Sequence, residues 1–154
     1  MTILINKEVI SMDEYNKGSH TVHDIKYHVI WVTKYRYKVL DKQIAARLRK
    51  LIRQGCEARQ ITIIRGSIAK DHVHMLIGCS PNIAPSKIVQ YLKGRLSRLI
   101  QDEFPELKKR YWGQHLWARG YFCATVGSVT EEIIKRYIES QELSNNENVF
   151  KIEE

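Results

Sequence analysis

His72 and His74 flank Val73 inside an apolar run, Asp71-His72-Val73-His74-Met75-Leu76-Ile77. The run reads as a strand, and alternate residues of a strand share a face, so the two imidazoles point the same way. Side by side, they can hold one divalent cation. Further along, Glu131-Glu132-Ile133-Ile134-Lys135-Arg136-Tyr137-Ile138-Glu139-Ser140-Gln141 reads as a helix. Tyr137 and Gln141 share one of its faces, because residues four apart are neighbours on a helix surface. An imidazole pair, a phenol and a basic chain together point to phosphoryl transfer on nucleic acid.

Gln141 offers an amide oxygen as a third ligand beside His72 and His74, with Asp71 as the alternative. A mixed imidazole and oxygen set suits Mg²⁺ or Mn²⁺, although affinity alone favours later transition metals. A cation so held polarises a phosphate oxygen and orients the scissile bond. The Tyr137 phenol, with an ordinary pKa of about 10, is a poor nucleophile until a cation or base favours the phenolate. Its attack on a DNA phosphodiester would expel a 3′-hydroxyl and leave the 5′-phosphate on tyrosine, a linkage that conserves bond energy for rejoining. Each feature also has a plainer reading: part-exposed histidines bonded to neighbours, and a tyrosine at the rim of the core.

Several elements must position these groups. Asp24–Thr33 is β-branched and aromatic and reads as a first strand. Within it His28 is expected to be a hydrogen-bonded core residue. Asp41 can cap a helix whose apolar face is Ile44, Leu48, Leu51, Ile52 and Gly55. Residues 61–68 make a second strand, and Lys70-Asp71 turns into the histidine strand. Pro85 suits the first turn of a second helix with an apolar stripe of Ile88, Leu92, Leu96, Leu99 and Ile100, ended by Phe104-Pro105. Residues after it read as a loop, and 116–126 as a fourth strand bulged at Gly120. Thr130 can cap the last helix, with Glu131 and Glu132 favourable at its N-terminal dipole.

The order β-α-β-β-α-β plus a final helix predicts an α+β, ferredoxin-like fold. Its four-stranded antiparallel sheet carries two helices on one face, and the C-terminal helix carries the tyrosine. Val73, Met75 and Ile77 would face those helices, leaving His72 and His74 on the open face. Residues 1–20 read as an irregular arm, 21–143 as the catalytic domain and 144–154 as a polar tail.

The chain has 154 residues, enough for one domain with a real core. Net charge is +8, which favours polyanionic partners through counterion release. The three cysteines, Cys56, Cys79 and Cys123, are scattered and form neither a disulfide framework nor a zinc knuckle. They are expected to act as small hydrophobes. No apolar run approaches the roughly 20 residues a membrane span needs, and the polar N-terminus does not read as a signal peptide. The expected location is the cytoplasm.

Basic and aromatic residues interleave in Lys34-Tyr35-Arg36-Tyr37-Lys38, and Lys87, Tyr91, Arg95 and Arg98 share a face of the second helix. Both groups are candidate DNA contacts, with Tyr91 stacking on a base; a solvated surface is the alternative. Trp117, Tyr121 and Phe122 read as core. Arg119 among them needs an anion or partner and is a further DNA-binding candidate.

The runs Tyr27-His28-Val29-Ile30-Trp31-Val32-Thr33-Lys34-Tyr35-Arg36, Asp71-His72-Val73-His74-Met75-Leu76, Lys93-Gly94-Arg95 and Arg136-Tyr137-Ile138-Glu139-Ser140-Gln141 resemble the small one-tyrosine HUH (His-hydrophobic-His) transposases of the IS-two-hundred-like insertion sequences. The resemblance spans roughly residues 20–143. It implies cutting and rejoining of single-stranded DNA at element ends marked by hairpins, with Tyr137 as nucleophile and His72, His74 and Gln141 as ligands of Mg²⁺ or Mn²⁺. It also implies a homodimer in which the tyrosine helix of one subunit can complete the histidine site of the other. Two other readings stand beside it: a non-catalytic ferredoxin-like module binding single-stranded nucleic acid, and a domesticated relative that processes chromosomal repeats.

Overall fold

A computed structural model describes residues 2–5, 8–11, 16–17, 22–127 and 130–146. Two short antiparallel ladders come first: β1 (Thr2–Ile5) with β2 (Glu8–Ser11), and β3 (Asn16–Lys17) with β4 (Val22–His23). The expected irregular arm is thus corrected: Ile3, Leu4, Val9 and Ile10 supply enough strand propensity for a local hairpin.

The main sheet is built from β5 (Ile25–Val32), β6 (Thr62–Ile68), β7 (His72–Cys79) and β8 (Phe122–Thr125), in the order β6-β7-β5-β8. All its pairings are antiparallel. Helices α1 (Lys42–Ala58) and α2 (Pro85–Glu103) connect β5 to β6 and β7 to β8. This is the expected ferredoxin-like arrangement. Asp41 caps α1 by accepting the Ile44 N–H at 2.9 Å, and Pro85 opens α2.

Val73, Met75 and Ile77 alternate along β7 and are fully or nearly fully buried. They pack with Val29 and Trp31 of β5 against Leu48, Leu51, Ile88, Leu92 and Leu96 of the two helices. Fixing this face fixes the other by the two-residue period of a strand. Register then sets the open face: Ile30 lies opposite both His74 and Phe122, Val32 opposite His72, and His28 opposite Leu76 and Ala124.

Two expectations are corrected on the way to β8. The loop after Phe104 contains a short helix, α3 (Pro105–Arg110), which seats Leu107 in the core. The fourth strand is confined to Phe122–Thr125, with one bridge further back between Trp117 and Thr33. Residues 119–121 bulge out between them, with Gly120 at φ +78°. Lys93 of α2 holds the bulge, its ammonium donating to the carbonyls of Ala118 and Gly120 at 2.9 and 2.8 Å.

The last helix, α4 (Glu131–Asn146), runs past the expected end of the domain at 143, and residues 147–154 of the predicted tail lie outside the described residues. Cys56 and Cys79 are buried and Cys123 half-buried, all as free thiols, as small hydrophobes should be. No helix among the described residues is long and apolar enough to cross a membrane.

Leu92 is fully buried where α2 meets the sheet and α1. Leu92→Ala is expected to cost about 2–5 kcal/mol, read as a lower urea midpoint at unchanged slope.

Candidate active site

The open face of the sheet carries three imidazoles, and α4 lies over the same face. Phe122 of β8 shares a side with Ile30 and His74, and the Tyr137 ring packs on Phe122 with centroids 5.5 Å apart. The tyrosine thus stands over its own chain's histidine face. Laterally it stands near β8 while His74 is on β7, two strand spacings or about 10 Å across. Its hydroxyl is buried with no hydrogen-bond partner among the described residues. Burial pushes the phenol up to about 12, so this seat disfavours the phenolate.

One side chain ties the tyrosine helix to the histidine strand. Thr33 is fully buried; its N–H donates to the Asp71 carbonyl and its hydroxyl to the Tyr37 carbonyl. Between them the chain makes a 3-10 turn, Lys34–Arg36, with Tyr35 and Arg36 at φ 59° and 52°. Non-glycine residues take this left-handed conformation only where surrounding contacts enforce it. Here it aims the Arg36 guanidinium inward: Nε donates to Asp71 Oδ2 at 2.6 Å and a terminal nitrogen to the Ile138 carbonyl at 3.3 Å.

The other Asp71 oxygen takes the His72 Nδ1 at 2.8 Å. Burial alone would raise the Asp71 carboxyl, but the hydrogen bonds from His72 and Arg36, together with their charges, hold it below its ordinary 3.8. Its contribution to stability is therefore present at neutral pH and lost only as the pH falls through that lowered value. A carboxylate on Nδ1 leaves Nε2 of His72 free, the arrangement seen behind metal-bound histidines. Burial, and then His28 and His72, lower the His74 pKa and so favour its neutral ring. A neutral ring keeps a lone pair for a cation.

These features fit the donor set expected for Mg²⁺ or Mn²⁺. Gln141 is half-buried one turn beyond Tyr137, and its amide bonds to neither imidazole among the described residues. Nor, among the described residues, do three His, Cys, Asp or Glu side chains converge to cage a metal alone. Two imidazoles supplemented by the amide oxygen, water and substrate oxygens would leave the open positions a catalytic site needs.

The DNA-contact candidates separate. Arg36 is engaged with Asp71 and α4. Lys34 lies 5.3 Å over the exposed Tyr35 ring. Lys87 and Arg98 are exposed on α2, on the side of the sheet away from the histidines. Tyr91 and Arg95 instead form the α1–α2 seam. The Tyr91 hydroxyl donates to the Gly55 carbonyl, Arg59 stacks on its ring at 4.4 Å, and the Arg95 stem fills the space where a side chain at Gly55 would go.

Arg119 is exposed on the bulge, so the burial argument for an anionic partner is corrected. Tyr121 beside it is exposed rather than core, while Trp117 is buried as expected and its indole N–H donates to the Lys93 carbonyl.

Sequence reasoning missed the third imidazole. His28 is hydrogen-bonded as expected, but it is half-buried on the open face, and its partner is His74, with Nδ1 and Nε2 3.2 Å apart. The signal available was parity: His28 is two residues from Ile30, which pairs with His74.

A ferredoxin-like sheet bearing a histidine pair on one face, with a tyrosine helix laid over it, has the design of a DNA-processing transposase. Residues 21–141 match the family model described as "Transposase IS200 like", and the chain belongs to the IS200-like transposase family. It is 36% identical over 128 residues to the ISDra2 transposase TnpA of Deinococcus radiodurans, covering 83% of this chain and 91% of that one. It is 32% identical over 130 residues to the transposase for insertion sequence element IS200 of Salmonella typhimurium, covering 84% and 85%. Among solved structures, a putative transposase from Deinococcus radiodurans superposes with TM-score 0.77 at 35% identity, over 82% of this chain and 97% of that one. A REP-associated tyrosine transposase bound to a REP hairpin shares the fold, with TM-score 0.50 at 14% identity over 84% and 68%.

Removing Arg36 leaves the buried Asp71 carboxylate with one oxygen unpaired and His72 alone on the other. Arg36→Ala is expected to cost about 2–3 kcal/mol, below the ~3–5 kcal/mol of a fully buried pair because Arg36 keeps some exposure. Amide exchange of α4 should accelerate while that of β5 and β7 stays protected.

Proposed function

We propose that this transposase cleaves and rejoins single-stranded DNA at insertion-sequence ends through a 5′-phosphotyrosine intermediate, recognising the ends by their hairpins. The observation that carries the reading is the continuous contact from Ile138, beside the nucleophile, through Arg36 and Asp71 to His72. A binding module that only stacks bases on its sheet has no use for such a linkage.

The proposed step is an in-line displacement. The Tyr137 oxygen attacks phosphorus, the bond to the 3′ oxygen breaks, and that oxygen leaves as a 3′-hydroxyl after taking a proton. The phenol gives up its proton on the way, and a 3′-hydroxyl attacking the phosphotyrosine reverses the sequence and joins the strand. A divalent cation, Mg²⁺ or Mn²⁺, held by His72, His74 and Gln141, would supply charge to the phosphate oxygens. Burial on Phe122 raises the phenol further, so attack calls for Tyr137 to leave this seat and for the cation or a base to favour its phenolate. The Arg36 contact to Ile138 keeps the helix registered to β7 as it moves.

Surface cations are proposed to hold the DNA backbone: half-buried Lys34 near the turn, and exposed Arg119 on the bulge and Lys87 and Arg98 on α2. The proposed assembly is a homodimer, in which joined sheet edges would satisfy backbone groups left open on β6 or β8. The cytoplasm, where such DNA is met, is the proposed location.

The deciding experiment is a denaturing gel of protein with end-labelled, hairpin-bearing DNA, with and without Mg²⁺. A slow, protease-sensitive DNA band is expected from the wild type and from neither Tyr137→Phe nor His72→Ala. An adduct that persists in Tyr137→Phe overturns the nucleophile. Undiminished binding under chelator with no cleavage favours the stacking module.

A further inference from the structure

His28 stands on β5, diagonally across from His74 on β7, since His28 pairs with Leu76 and Ile30 with His74. Diagonal neighbours on one sheet face are within reach of long side chains. The two rings have centroids 5.5 Å apart and planes inclined by 40°, with His28 Nδ1 3.2 Å from His74 Nε2. Directly across from His28 stand Leu76 and Ala124, neither of which has a polar side chain. Among the described residues its one hydrogen bond is to His74.

A neutral imidazole has one N–H and one lone pair. A bond between two neutral rings uses the proton of one and the lone pair of the other. If His28 donated, His74 would accept at Nε2 and carry its own proton on Nδ1, leaving no lone pair for a cation. If His74 donates from Nε2, its Nδ1 is free to bind. Only the second direction is compatible with His74 as a ligand while this contact persists.

We infer that His28 is a positioning residue: by accepting the Nε2 proton of His74 it fixes the tautomer in which His74 offers Nδ1 to the cation. The inference rests on the proposed metal site and adds a residue to it. Each ligand histidine then has its own acceptor behind it, Asp71 for His72 and His28 for His74. The pairing is unequal. A carboxylate pushes electron density into His72, whereas the His28 ring sets direction and tautomer with little added basicity. His72 binds through Nε2 and His74 through Nδ1, so the two rings reach the cation with different arms although their backbones are equivalent in strand parity.

The test uses DNA-free full-length protein and Mn²⁺ as the probe. Nitrogen-15 shifts of the His74 ring in the metal-free wild type report the tautomer directly and need no variant; the proton is expected on Nε2. Mn²⁺ titration followed by electron paramagnetic resonance should show affinity reduced about tenfold in His28→Leu, as for other partners behind metal ligands. His28→Asn places an acceptor oxygen near the Nδ1 position and is expected to recover most of the loss. A role limited to packing would make Asn no better than Leu.

A His74 proton on Nδ1 overturns the inference. So does His28→Leu binding Mn²⁺ like wild type while His74→Ala does not, and this outcome leaves the proposed function intact. Absence of a tyrosine–DNA adduct from the wild type is a separate result that overturns the function itself.

Discussion

Asp71 is the point on which the site depends. Its carboxylate is buried, takes Arg36 on one oxygen and His72 on the other, and is held ionised by both. A buried carboxylate with one partner would be costly; with two it stays charged in a low-dielectric setting. Through Arg36 the same charge reaches the backbone of α4 at Ile138. A single acidic residue thereby fixes the tautomer of an imidazole on β7 and the position of the helix that carries the phenol. The unusual backbone of Tyr35 and Arg36 is the local cost of bringing that guanidinium inward.

The sheet divides the work. Its inner face is closed by α1 and α2 over Val29, Trp31, Val73, Met75 and Ile77, which gives β5 and β7 a rigid and well-registered backbone. Its outer face inherits that rigidity and uses it to hold polar rings. Ile30 and Val32 stay buried on the outer face as well, so the imidazoles stand beside an apolar floor that raises the energetic weight of every charge near them. Tyr137 shares this environment. Its burial against Phe122 raises the pKa of the phenol and disfavours the phenolate.

The clamp on the other side of the chain works by a different means. Lys93 donates to the carbonyls of Ala118, at the start of the 119–121 bulge, and of Gly120 within it, and burial lowers its pKa without removing its hydrogen bonds. The bulge projects Arg119 and Tyr121 into solvent and still returns the chain to pair Phe122 with Ile30. The placement of Phe122, and so the seat of Tyr137, follows from how many residues the bulge absorbs.

Strand and helix periodicity was enough to read βαββαβ, the inward set Val73, Met75 and Ile77, the caps at Asp41 and Thr130, and the shared face of His72 and His74. These follow from local rules, because a strand alternates and a helix repeats whatever surrounds it. What periodicity could not reach was anything decided between elements. The truncated β8, the seam formed by Tyr91 and Arg95 on Gly55, the approach of His28 to His74 and the engagement of Arg36 with Asp71 all join segments far apart in sequence. Local pattern names which side chains are available on a face. Only packing and register, set by the whole core at once, decide which of them meet.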